Sequence, residues 1–143
     1  MQTIDDVYEE WLPLGIQLPF MTFVDFKIDS DGQFVVFLSR DNPSEFISKQ
    51  DHVTVVFDRF PCAFNIVNET YRDRTITCLS EQGLIGKGSF FLSKQSNFLQ
   101  NFHDEGGLLS FWIDFEHLLL VTNDVMIDFI IEHRPEVHLI KNA

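Results

Sequence analysis

The sequence predicts an α+β fold, a single domain over residues 1–143 in which an antiparallel sheet carries a few short helices packed on it. Segments with alternating apolar residues outnumber segments with helical spacing. The connections between them are of hairpin length, which favours antiparallel pairing. The composition, 45% hydrophobic and 22% charged over 143 residues, is typical of one globular domain with a substantial core.

Phenylalanine is the main core material, with 16 Phe against 2 Tyr and 2 Trp. Because Phe has no polar group, most of these rings are expected to be buried, and many occupy alternating positions that suit strands. The sequence therefore predicts a core built largely of Phe side chains.

At the N-terminus, a short amphipathic helix is predicted from Thr3 to about Trp11. Thr3 and Asp6 have the spacing of a capping box, and Pro13 ends the segment. This helix would precede the first strand.

Residues 20–39 are predicted to form an antiparallel hairpin around a turn at 29–32, where an Asp and a Gly adjoin. The alternation places Phe20, Val24, Phe26 and Ile28 on one face, and the first three are predicted to be buried.

The middle of the chain is predicted to alternate strands with short helices. One helix is capped by Asn42 and ends near Lys49, and a second is capped by Ser93 and ends near His103. Cys62 has the alternation of a core residue. Strands are predicted at 52–58, 62–68, 73–79 and about 88–92.

The C-terminal part is predicted to contain two strands, a helix and a last edge strand. The strands lie near 108–113 and at 117–121, and the helix runs from Asn123 to His133, where Pro135 stops it. Residues 137–140 form the edge strand.

No segment carries a catalytic, cofactor-binding or metal-binding signature. The glycine-rich stretch departs from a phosphate-binding loop because Gly88 separates Lys87 from Ser89. The histidines include no pair with the spacing of a helical zinc site, and neither cysteine lies beside a histidine in sequence. We therefore expect no cofactor, no metal and no enzymatic activity, in a fold that needs no disulfide.

The net charge of −12 is concentrated at the two ends of the chain. Residues 1–31 and 101–143 each carry −6, and residues 32–100 are neutral overall. Such a field repels nucleic acids and anionic membranes and attracts basic surfaces. The N-terminus lacks the regions of a secretory signal and the two cysteines have no paired spacing, so we expect a cytoplasmic monomer or homodimer.

The predicted C-terminal helix carries an acidic stripe. Asp124, Asp128 and Glu132 recur every four residues and would stack three negative charges along one face. Asp114 and Glu116 precede them. These five residues are the predicted contact patch for a basic protein partner, and a solvated helix face is the alternative interpretation.

In size, acidity, absence of a catalytic motif and cytoplasmic character, the chain resembles the small immunity proteins of bacterial contact-dependent inhibition and polymorphic toxin systems. Those proteins bind a cognate toxin tightly and often cover the basic active site of a nuclease. The resemblance implies a stoichiometric inhibitor, an antitoxin, that neutralises a toxin with a basic surface. It is one of overall profile and carries no site residues over.

Two other classes of function remain open from the residues. A small-molecule-binding domain or enzyme would enclose a Phe-lined pocket, with the polar cluster of Glu69, Tyr71, Arg72 and Arg74 orienting the ligand. A structural or assembly subunit would pair an exposed strand edge with another copy of itself.

Overall fold

A computed structural model describes most of the chain. Within the ranges that follow, the side chains of Val24 and Arg40 are the exceptions. The residues that it describes are 5–16, 21–28, 32–40, 52–86, 88–106 and 113–140. Within them lie nine strands and two α-helices: β1 Val7–Glu10, β2 Met21–Ile28, β3 Phe34–Arg40, β4 His52–Phe57, β5 Ala63–Asn68, α1 Asp73–Glu81, β6 Phe90–Gln95, α2 Asn97–Gly106, β7 Glu116–Val121, β8 Val125–Ile131 and β9 Glu136–Ile140. A 3-10 turn, Glu69–Tyr71, leads from β5 into α1.

Two antiparallel sheets face each other across the main hydrophobic core. Their strand orders are β1-β6-β7-β8-β5 and β2-β3-β4-β9. Phe34 and Val36 of β3 meet Ile127 and Phe129 of β8 between the sheets, each at most 1% exposed. The mainly antiparallel architecture with two helices agrees with the predicted α+β class, but the one predicted sheet is two. That residues 1–143 form a single domain stays a prediction.

Both helices cover the outer face of the five-stranded sheet. Leu79 of α1 packs with Phe91 and Met126, and Leu99 of α2 packs with Ile130. Because β7 and β8 are covered on both faces, each contains a near-continuous apolar run. The layer between the helices and the sheet also holds a set of polar groups.

The hairpin predicted at 20–39 is confirmed as β2 and β3, which pair antiparallel. A β-bulge after Phe23 shifts the alternation, so that Phe26 lies opposite Val36 and turns towards the inter-sheet core. β2 is an edge strand, however, and Phe26 is 41% exposed and Ile28 59% exposed. The prediction that Phe26 is buried is therefore wrong.

The segment predicted as a helix over 123–133 contains the strand β8. β-Branched and aromatic residues lose side-chain freedom in a helix and pack well on a pleated sheet. Five of the seven β8 residues are of these types: Val125, Ile127, Phe129, Ile130 and Ile131. Apolar residues on both faces of a doubly covered strand produced the spacing that resembled a helix.

The strand predicted at 73–79 is the helix α1. Thr75 and Leu79, four residues apart, are both buried on the sheet-facing side, which is helical spacing. The β-branched run that begins at Thr75 favoured a strand, and tertiary packing against the sheet overrode that local preference.

The helix predicted from Thr3 to Trp11 is wrong where the structure describes it, because Val7–Glu10 is β1. Tyr8 is buried and Glu9 is exposed, as in an edge strand, and β1 pairs with β6. Thr3 and Phe20 lie outside the described residues, as does the predicted helix at 42–49.

The remaining strand predictions are confirmed with small shifts at the ends, as β4, β5, β6, β7 and β9. The strand near 108–113 falls almost entirely outside the described residues. Ser93 lies within β6, so it does not cap the following helix; the Oγ of Ser96 does so by accepting the backbone N–H of Leu99 at 3.1 Å. Cys62 is exposed rather than buried, because it precedes β5 in a loop.

Candidate functional site

The three acidic residues of the predicted helical stripe do not share one accessible face. Asp124 lies in the turn before β8, Asp128 in the middle of the strand and Glu132 just after it. Asp124 and Glu132 are exposed, whereas Asp128 is 2% exposed and faces the layer beneath the helices. The stripe therefore does not form, because a strand and not a helix carries it.

The other two predicted contact residues are held in ion pairs. Asp114 Oδ1 lies 2.7 Å from Lys94 Nζ, and Glu116 Oε1 lies 3.0 Å from Arg134 Nε. The Lys94–Asp114 pair is exposed, and such a pair contributes at most about 1 kcal/mol, so a partner could displace it at small cost. In the other pair the Glu116 side chain is only 14% exposed. The role of Asp114, Glu116, Asp124, Asp128 and Glu132 in binding a partner stays a prediction.

A chain of hydrogen bonds runs through the interior and passes through Asp128. Ser96 Oγ, which caps α2, lies 2.7 Å from His117 Nδ1. His117 Nε2 lies 2.7 Å from Asp128 Oδ1. Arg72 donates to both oxygens of Asp128, from Nη1 at 2.6 Å and from Nη2 at 3.2 Å. Arg72 also donates to Thr75 Oγ1 in the first turn of α1, from Nε at 3.2 Å and Nη2 at 3.1 Å.

One protonation state satisfies every group in this chain. A neutral His117 with its proton on Nε2 donates to Asp128 and accepts the Ser96 hydroxyl proton at Nδ1. Ser96 Oγ still accepts the backbone N–H of Leu99. The chain, which we call the buried relay (Ser96, His117, Asp128, Arg72 and Thr75), joins the starts of both helices to the sheet.

The partners of Asp128 set its pKa. Burial is the largest influence and raises the pKa of this carboxyl, but hydrogen bonds from His117 and Arg72, together with the charge of Arg72, outweigh it. The pKa of Asp128 therefore lies below its ordinary value. Because the folded protein binds this proton more weakly than the unfolded chain does, ionised Asp128 stabilises the fold.

This stabilisation is expected to depend on pH. It is present above the unfolded-state pKa of about 3.9 and is lost as the pH falls through the lower folded-state value. Urea unfolding of the wild type and of Asp128→Asn should show a difference in free energy of unfolding that is constant near neutral pH and shrinks below about pH 4. A difference that stays constant into strong acid would contradict the ionised state of Asp128 in the fold.

The order Ser96, His117, Asp128 matches that of a hydrolase triad, but the geometry does not offer a nucleophile. Ser96 and His117 are each 1% exposed. The Ser96 oxygen is also engaged by the first turn of α2, so a substrate carbonyl has no approach to it. The relay is therefore a support for the helices and for the cleft that lies over it.

A cleft with a volume of about 260 Å³ opens between the starts of α1 and α2. His117 and Asp128 of the relay lie at its floor, and Arg72 and Arg74 line it from the start of α1. Phe98 of α2 lines it from the other side. We call this feature the interhelical cleft. Its lining contains two members of the polar cluster at 69–74, which the sequence marked as ligand-orienting in the second class of function.

Asp6 and Tyr8 of the N-terminal segment form another wall of the interhelical cleft. Asp6 Oδ1 accepts the backbone N–H of Asn97 at 2.7 Å and its side-chain amide at 2.9 Å, while Tyr8 donates to Asp6 Oδ2 at 3.2 Å. Burial first, then the charge of Asp6, raises the pKa of Tyr8 above its ordinary value, so the hydroxyl remains a donor. Asp6 thus binds the first turn of α2 instead of starting a helix of its own.

A second concave surface lies on the other side of Asp6, between the start of β1 and α1. It has a volume of about 560 Å³, and its charged lining residues are Asp5, Asp6, Glu81 and Arg74. Burial, followed by the charges of Asp6, Glu81 and Asp5, raises the pKa of the Cys78 thiol in its wall. The field there is therefore negative, and we call this surface the acidic groove.

Sequence reasoning singled out Asp128 for a different role and did not connect it with His117. Both residues stand inside apolar runs, and a polar residue within a doubly covered strand needs a buried partner. The need of Asp128 and His117 for buried partners could therefore have been inferred once both segments were assigned as strands. The identity of the partner depends on the pairing of β7 with β8, which the sequence did not reveal.

Comparison of the chain with protein-family models, with curated proteins and with solved structures gives no match in any of the three. Within the described ranges, no helix is long and apolar enough to cross a bilayer. Across that same part of the chain, no group of three or more His, Cys, Asp or Glu side chains could hold a metal ion.

Proposed function

We propose that this chain is a stoichiometric protein-binding inhibitor, an immunity protein of the antitoxin type, that acts in the cytoplasm. Its partner would be a toxin domain with a basic surface, such as a nuclease. The acidic groove is the contact surface in this proposal. The observation that carries it is the negative field of its lining, where the carboxylates of Asp5, Asp6 and Glu81 outnumber the one guanidinium, of Arg74. Such a field speeds the encounter with a basic partner and repels nucleic acid and anionic membranes.

The groove has a rigid wall, which favours binding because little order must be gained on association. The side chain of Gln82 donates to the backbone oxygen of Asp6 at 2.7 Å and accepts the backbone N–H of Tyr8 at 2.8 Å. Gln95 donates to the backbone oxygen of Asp5 at 2.9 Å. These bonds fix the start of β1 against α1, and the carboxylates of Asp5 and Glu81 are exposed on either side.

The proposal is tested by removing two groove charges that have no structural role in the described residues. The Asp5→Asn/Glu81→Gln double variant should bind the partner about tenfold more weakly, mainly through a slower association rate. The partner would first be captured from a lysate of the source cell with the wild-type chain as bait, then purified for kinetic measurements. Asp6 is left intact because it holds the start of α2.

A matched control and an internal probe make the result specific. Asp58→Asn/Glu105→Gln removes the same charge from exposed positions outside the groove and should leave the affinity nearly unchanged. The bound partner should also slow alkylation of Cys78 in the groove wall but not of the exposed Cys62. Equal weakening by both double variants, or unchanged labelling of Cys78, would show that the partner binds elsewhere.

A further inference from the structure

The mouth of the interhelical cleft carries polar groups with spare hydrogen-bonding capacity. Arg74 is exposed, and no ion pair or side-chain hydrogen bond engages it within the described part of the chain. The same holds for the carboxamides of Asn65 and Asn101, which also line the cleft. These three side chains come from α1, β5 and α2, so only the folded chain brings them together.

The acids inside the cleft are, in contrast, already engaged. Asp128 accepts hydrogen bonds from His117 and Arg72, and Asp6 accepts from Asn97 and Tyr8. Two carboxylates are therefore balanced by the charge of Arg72 and by neutral donors. The group left over is the guanidinium of Arg74, in a protein whose net charge is −12.

We propose that the interhelical cleft binds the oxyanion of a small molecule, a carboxylate or a phosphate, at Arg74. A guanidinium donates two parallel N–H groups to such an oxyanion, and the amides of Asn65 and Asn101 supply further donors. The cleft volume of about 260 Å³ is below the roughly 300–1,000 Å³ of sites for drug-sized ligands, which restricts the ligand to a small metabolite. The half-buried ring of Phe98 gives an apolar wall for the rest of the molecule.

The interhelical cleft and the acidic groove would bind ligands of opposite charge, although Arg74 borders both. An oxyanion in the cleft needs the positive charge of Arg74, whereas a basic partner in the groove is repelled by it. Arg74→Gln should therefore weaken oxyanion binding and strengthen binding of a basic partner. The two proposals predict opposite effects of one substitution, so the failure of either is visible separately.

The test uses inorganic phosphate and acetate as probes, each titrated at constant ionic strength against chloride. Side-chain amide signals of Asn65 and Asn101 in ¹H–¹⁵N NMR spectra should shift saturably with at least one of the probes in the wild type. Arg74→Gln should raise the dissociation constant of that probe at least about tenfold. The probe that binds more tightly identifies whether the ligand carries a phosphate or a carboxylate.

Arg59→Gln is the matched control, because Arg59 is exposed on the β4–β5 loop and lines neither the cleft nor the groove. It removes the same charge and should leave the dissociation constant of the probe unchanged. Absence of a saturable shift with both probes would overturn the proposal. Equal weakening by Arg59→Gln and Arg74→Gln would do so too, since it would show a general ion effect.

Discussion

Replacement of Asp128 by alanine is expected to lower the free energy of unfolding by about 3–5 kcal/mol. The substitution leaves Arg72, whose side chain is only 15% exposed, without its carboxylate partner, and it leaves Nε2 of the buried His117 without an acceptor. An uncompensated buried charge and an unsatisfied buried donor are both costly. Urea unfolding of purified Asp128→Ala at neutral pH measures the loss.

Glu132→Ala is the control for that measurement, because Glu132 is exposed one residue beyond the end of β8. It removes the same kind of charge and should change the free energy of unfolding by less than about 0.5 kcal/mol. If the three acids lay on one solvated helix, the two substitutions would have similar small effects. A loss below about 1 kcal/mol for Asp128→Ala would therefore contradict the buried relay.

Replacement of Phe34 by alanine is expected to cost about 3–5 kcal/mol. The Phe34 ring is 1% exposed and contacts the rings of Phe57, Phe64 and Phe129, with centroid distances of 5.8, 5.3 and 6.3 Å. Its removal leaves a cavity between the two sheets that close-packed neighbours cannot fill. Chemical denaturation again gives the change in free energy of unfolding.

Phe26→Ala tests whether the loss of stability depends on the burial of the ring or only on the removal of a ring from the same cluster. Phe26 also stacks on Phe34, at 5.7 Å, but it is 41% exposed at the edge strand β2. Its loss should cost only about 1–2 kcal/mol, because much of its surface remains in water in the folded state. Equal losses for Phe26→Ala and Phe34→Ala would mean that the sheet edge is covered more completely than the exposures indicate.

The strands with a clear period of two were predictable from sequence. β2 and β3 were identified as a hairpin, and β4, β5 and β9 were placed with small shifts, because alternation along one face survives in strands with a solvent-facing side. The central strand β8 was not. Like β7 it is covered on both faces and lacks alternation, but Asp124, Asp128 and Glu132 in and around it also recur at helical spacing. Its acidic residues then suggested a helical stripe that does not exist.

The candidate site depended even more on contacts between distant residues. Arg72 and Arg74 were marked as a polar cluster from sequence, and both line the interhelical cleft. From sequence, Asp6 was the capping-box partner of Thr3, and Asp5 contributed to the −6 balance of residues 1–31. Their proximity to Glu81 arises because β1 pairs with β6 and lies beside α1, a relation that no local pattern encodes.

By itself, the sequence determined the acidic balance of the two chain ends, the Phe-rich core and the preference for antiparallel strands. Composition and short-range periodicity carry that information. Only the tertiary structure decided which acids are exposed, since Asp128 is buried against Arg72 while Asp5 and Glu81 face a groove. The physical reason is that burial and pairing of a charge depend on the groups that other strands and helices bring to it, and Arg72, the partner of Asp128, is 56 positions away in the chain.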